Sequence, residues 1–77
     1  MKTFYQFMLT FRGERKQTNL GRLAESIFKD EGFPKYAESY DELSDYLEWM
    51  SPFVDAVITF DEAWKLYEQQ LEQGSRF

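Results

Sequence analysis

The sequence contains no cysteine and no histidine. That excludes disulfide frameworks, thiol nucleophiles, the usual zinc constellations and any Ser-His-Asp triad. Glycine is scarce: Gly13, Gly21, Gly32 and Gly74 are scattered, so no glycine-rich loop can cradle a phosphate. No apolar run approaches the ~20 residues that a membrane-spanning helix needs. Residues Phe4 to Phe11 after Met1-Lys2 resemble a signal peptide only superficially. Gln6 and two threonines interrupt the run, Arg12 ends it, and no small-residue cleavage site follows. The expectation is a cytoplasmic protein with no membrane partner and no cofactor.

What is present favours a packed core. The 77 residues are 43% hydrophobic and 19% aromatic, and the 30% that are charged are interleaved with large apolar side chains. Such a chain is not disordered, and its length allows one domain, taken as residues 1–77. The net charge of −5 is unevenly placed. Residues 1–35 carry seven Lys/Arg against four acids, a net +3, whereas residues 36–77 carry two against ten, a net −8. This dipolar distribution bears on partners and association rather than on fold.

Helix signals recur along the chain and strand signals do not. Thr3 can cap a first helix whose stripe is Phe4, Phe7, Met8 and Phe11, and Gly13 stops it. Thr18 or Asn19 caps a second, with Leu20, Leu23, Ala24, Ile27 and Phe28 inward and Gly32 just past its end as a left-handed stop. Phe33-Pro34 imposes an extended link. Ser39 to Glu42 forms a capping box for a third helix presenting Tyr40, Leu43, Leu47 and Met50. Ser51-Pro52 opens a short fourth helix with Phe53, Val54 and Val57. A second box, Thr59 to Glu62, starts the last helix with Phe60, Ala63, Trp64, Tyr67 and Leu71 inward, and Gly74 closes it. Ala56 to Phe60 alone has strand-like composition and is too short to build a sheet. The expectation is an all-α bundle with helices near 4–12, 19–31, 40–50, 52–57 and 60–73, and with Phe7 and Trp64 buried.

Several of these segments together resemble the YozE-like family of small bacterial proteins. They are Phe4-Tyr5-x-Phe7 with Arg12, then Phe33-Pro34-Lys35, then Tyr40-x-Glu42-Leu43-Ser44-x-Tyr46-Leu47-Glu48. The last is Thr59-Phe60-Asp61-Glu62-Ala63-Trp64-x-x-Tyr67-Glu68. The resemblance covers roughly residues 2–70, in the same order. It implies a helical SAM-like fold of low-GC Gram-positive bacteria. It brings no established catalytic residues, so it assigns no activity.

Three features compete for a functional role. Asp41, Asp45 and Glu48 share one helix face and are placed for a hard cation, but no irregular backbone converges on them and no glycine turns there, so a solvated face is expected. The basic segment Arg12, Arg15, Lys16 and Arg22 lies beside a helix N-terminus, where guanidinium groups can hold phosphate oxygens. The pI of about 4.6 opposes binding to a polyanion. The aromatic stripes are core. Tyr5, Leu9, Trp49 and Leu66 fall off the stripes and either meet other helices or form a partner patch.

With no nucleophile–base pair, no phosphate loop and little room for a pocket, an enzyme is not expected. The sequence reads as a non-enzymatic helical interaction module whose partner is a protein. Arg12, Arg15, Lys16, Arg22, Tyr5 and Trp49 are its candidate contacts. The alternatives are a nucleic-acid-associated module using residues 12–22, and head-to-tail assembly of copies, with a monomer or weak self-association as the ground state.

Overall fold

The computed structural model describes residues 2–13 and 18–74, which form four helices: α1 (Phe4–Leu9), α2 (Asn19–Lys29), α3 (Tyr40–Met50) and α4 (Ala56–Gly74). The all-α expectation holds, with four helices in place of five among the described residues. α4 is the organising element: α1, α2 and α3 each pack on it, and α1 also packs on α2. The backbones of α2 and α3 do not approach each other closely.

Three of the five helix starts read from side-chain caps are formed. Thr3 accepts from the Gln6 N–H at 3.1 Å while the Gln6 side chain accepts from the Thr3 N–H at 3.1 Å. Thr18 accepts from the Gly21 N–H at 3.0 Å, and Ser39 from the Glu42 N–H at 3.4 Å. Each bond satisfies a donor that the first turn leaves free.

Helix ends depart further from expectation. α1 stops at Leu9 rather than near residue 12, because the N–H groups of Thr10, Phe11 and Arg12 each donate to the carbonyl three residues back. The chain thus tightens into turns. Gly13, read as the helix stop, then takes φ +84, a left-handed geometry. α2 ends at Lys29 on Asp30, an extended C-cap whose carboxylate accepts from the Gly32 N–H at 3.0 Å, and Gly32 does not have positive φ.

The expected helix over residues 52–57 is absent. Ser51 is not its cap but the left-handed C-cap of α3, with φ 46 and ψ 58. Residues 53–55 turn, the Ala56 N–H donates to the Phe53 carbonyl at 3.1 Å, and α4 begins at Ala56. Thr59, expected as an N-cap, is instead buried inside α4 with its N–H on the Asp55 carbonyl at 2.9 Å. Ala56, Thr59, Phe60, Ala63 and Tyr67 make one continuous buried stripe. Burying that stripe outweighs the local capping signal.

The core gathers around Phe4, which is fully buried. Its ring lies 5.3 Å from Phe60, 5.5 Å from Trp64 and 5.6 Å from Tyr67, with the Phe60 and Tyr67 contacts edge-on. Phe7 is buried as expected, whereas Trp64 is half-buried at the core margin. The Tyr67 hydroxyl donates to the Lys2 carbonyl at 2.8 Å, tying the chain entry to α4.

Candidate functional site

α3 buries Leu43 and Leu47 against the core. Its two flanking tyrosines fix its rotation. On one side Tyr40 lies 5.3 Å from Phe60 and donates to Asp61 of α4, which raises the Tyr40 pKa. On the other side Tyr46 stacks edge-on against Phe33 at 5.6 Å and donates to Asp30 at 2.5 Å. With both flanks pinned, the orientation of the remaining face is set.

That outward face carries Asp41, Glu42, Asp45, Glu48 and Trp49, all exposed. At 100° per residue they lie within an arc of about 120°, opposite Leu43 and Leu47. Asp41, Asp45 and Trp49 follow one another at i, i+4, i+8, so they form a single surface row. Trp49 is 77% exposed and touches the ring of Tyr46 at 6.1 Å between centroids. Beside it Met50 is 40% exposed.

Charge on this face is uncompensated. Residues 36–64 hold eight acids and no Lys or Arg. None of the four α3 carboxylates is in an ion pair with a described residue. Asp41 and Glu42 suit the positive start of the helix, but no basic residue occupies its last turn and Glu48 sits near the negative end. The pairs Asp41/Asp45 and Asp45/Glu48 add like-charge repulsion at i, i+4 and i, i+3. The arrangement opposes helix stability.

Of the basic candidates, Arg12 and Arg22 are engaged within the fold. Arg12 donates from Nε to Glu25 Oε1 at 3.0 Å, and its guanidinium lies 3.4 Å above the ring of Phe28. Phe28, expected on a buried stripe, is 45% exposed and shielded by that stacking. Arg22 stacks on Phe53 at 4.6 Å. Arg12 and Arg22 are therefore held by separate aromatic partners. Arg15 and Lys16 lie outside the described residues. Tyr5 is half-buried, 5.9 Å from Phe33, with Lys35 Nζ 5.6 Å from its ring. Leu9 is half-buried and Leu66 is partly exposed on α4.

A cleft of about 40 Å³ opens between the ends of α2 and α3, lined by Ile27, Asp30, Phe33, Leu47, Met50 and Pro52 among others. It has room for about one water molecule, far below the ~300 Å³ at which ligand pockets begin. Two wider hollows, at Glu68, Leu71 and Glu72 and along residues 34–39, are open to solvent. Among the described residues, no group of three or more acidic side chains is placed to hold a metal ion.

The model of the YozE SAM-like fold family matches residues 3–69. The chain belongs to this family. A UPF0346 protein of Bacillus velezensis is 38% identical over 74 residues, covering 96% of this chain and all of that protein. UPF0346 proteins of Bacillus cereus and Bacillus thuringiensis are each 44% identical over 68 residues, covering 88% of this chain and 94% of theirs. No solved structure matches the chain. For a YozE-family member the SAM-like helical fold follows, and no function follows with it.

The sequence singled out Trp49 and, separately, the solvated face of Asp41, Asp45 and Glu48, which is exposed as expected, but did not join the two. The signal was there: Asp41, Asp45 and Trp49 share one row, and no cation occurs from residue 36 to residue 64. The placement of Tyr40 and Tyr46 on opposite flanks holds that row outward.

Proposed function

We propose that this chain is a non-enzymatic cytoplasmic module that binds another protein through the outward face of α3. The observation that carries the reading is Trp49, left 77% exposed on a helix face whose other side chains are carboxylates. A large aromatic in water, beside a row of charged residues, has the anatomy of an interface anchor. Arg12 and Arg22 lend the nucleic-acid alternative less support, since they stack on Phe28 and Phe53 of their own chain and Arg12 is also paired with Glu25. No described helix is long and apolar enough to cross a membrane, which fits a partner met in water.

The test is capture from the native host with the wild type and with Trp49→Ala as bait. A partner retained by the wild type and lost from the variant is the expected result. Equal capture by both would remove α3 from the account. Because Trp49 is exposed and its only ring contact among the described residues is Tyr46, the substitution leaves the core intact.

A further inference from the structure

We propose that the α3 face receives an arginine-rich segment of a partner protein, with a guanidinium stacked on Trp49 and its neighbours paired to Asp41, Asp45 and Glu48. This rests on the reading that α3 is the docking surface, and adds the chemistry of what docks there.

The fold repeatedly sets cations on aromatic rings. Arg12 lies over Phe28, Arg22 over Phe53, and Lys35 near Tyr5. Trp49 is the better cation acceptor by ring type, yet no described Lys or Arg lies over it. The reason is in the sequence, which supplies no cation from residue 36 to residue 64. What the fold does elsewhere within one chain is left for another molecule to do here.

Charge complementarity sets the class of partner. Four carboxylates share the helix face with the indole, unpaired with described residues, and two of them continue its row at spacings of four residues. A planar guanidinium can stack on the ring while neighbouring arginines bond the carboxylates in pairs. A second copy of this chain fits less well. Two copies at −5 each repel, and Arg12 and Arg22 are already stacked on rings of their own chain. A bare divalent cation fits less well too, since no described acidic group is arranged to hold one.

The test is a titration of the isotopically labelled chain with a helical peptide bearing about four arginines on one face, followed through backbone amides and the Trp49 indole N–H. The expected result is a shift of the Trp49 indole and of α3 amides, with binding that weakens as salt rises. Trp49→Ala and Asp45→Lys should each weaken binding about tenfold. A peptide with glutamate in place of arginine should not bind. The proposal is overturned if the arginine peptide fails to bind, or binds both variants as well as the wild type. It is equally overturned if sedimentation shows the chain assembling with itself through Trp49. If host capture depends on Trp49 but the captured protein engages without basic residues, docking at α3 stands and the arginine chemistry fails.

Discussion

Tyr46 of α3 donates its hydroxyl hydrogen to Asp30, the C-cap of α2, at 2.5 Å, and so joins two helices whose backbones do not pack together. The same carboxylate accepts the Gly32 N–H, so one acid ends α2, turns the chain and anchors α3. Burial first, and then this hydrogen bond, push the Tyr46 pKa up to about 12.

The raised value makes the fold sensitive to alkali. A phenol whose pKa is higher folded than unfolded stabilises the fold fully below its ordinary value of 10. That contribution is lost as pH rises from there through about 12. Tyr46→Phe should cost about 1 kcal/mol near neutral pH, where it removes the bond to a half-buried acceptor. The gap between wild type and variant should narrow as pH climbs above 10. Urea midpoints measured across the alkaline range check this, and a gap independent of pH would contradict it.

Phe4 should be the most sensitive core position. It is fully buried and meets the rings of Phe7, Phe60, Trp64 and Tyr67. Truncation of a buried phenylalanine costs about 3–5 kcal/mol, against a total of about 4–12 for a chain of this length. Calorimetry of Phe4→Ala should show a Tm lower by at least about 12 °C, or no cooperative transition. Trp64→Ala, at the half-buried margin, should be the milder of the two. The reverse order would place the centre of the core elsewhere.

Ser51 holds φ 46 and ψ 58 at the end of α3, the left-handed region in which a β-carbon is crowded. Glycine removes the crowding while adding some unfolded-state freedom. Ser51→Gly should therefore stabilise by about 0.5–1 kcal/mol, seen as a Tm a few degrees higher. An unchanged or lower Tm would mean that the serine hydroxyl makes up for the strain.

Much of the fold was legible because its signals are local. Thr3, Thr18 and Ser39 sit where a free N–H needs an acceptor, and all three act as caps. The errors came where packing overrode such signals. Thr59 to Glu62 has the composition of a helix start, yet Thr59 continues the stripe that runs from Ala56 to Tyr67, and burying that stripe merges the segment into α4. Val54, read as part of a helix face, is 98% exposed in the turn before it. Phe28 follows the inward spacing of α2 but lies at the surface under Arg12, a pairing between residues sixteen apart that periodicity cannot foresee. Trp49 was legible as an outlier from the apolar stripe of α3. The solvated face of Asp41, Asp45 and Glu48 was legible too, and the tyrosine flanks add that Trp49 shares it.

On the proposed reading, the outward face of α3 is kept acidic for a partner, at some cost to the helix. Asp45→Lys tests it most directly. The substitution relieves repulsion with Asp41 and Glu48 and places a cation four residues after Asp41, the favourable order on a helix. Melting at low salt should show a fold at least as stable as the wild type, with Tm higher by about 1–3 °C. Capture of the host partner by this variant is the deciding measurement: the account predicts that a chain of equal or greater stability loses it. Undiminished capture by the stabilised variant would contradict the claim that these carboxylates serve recognition.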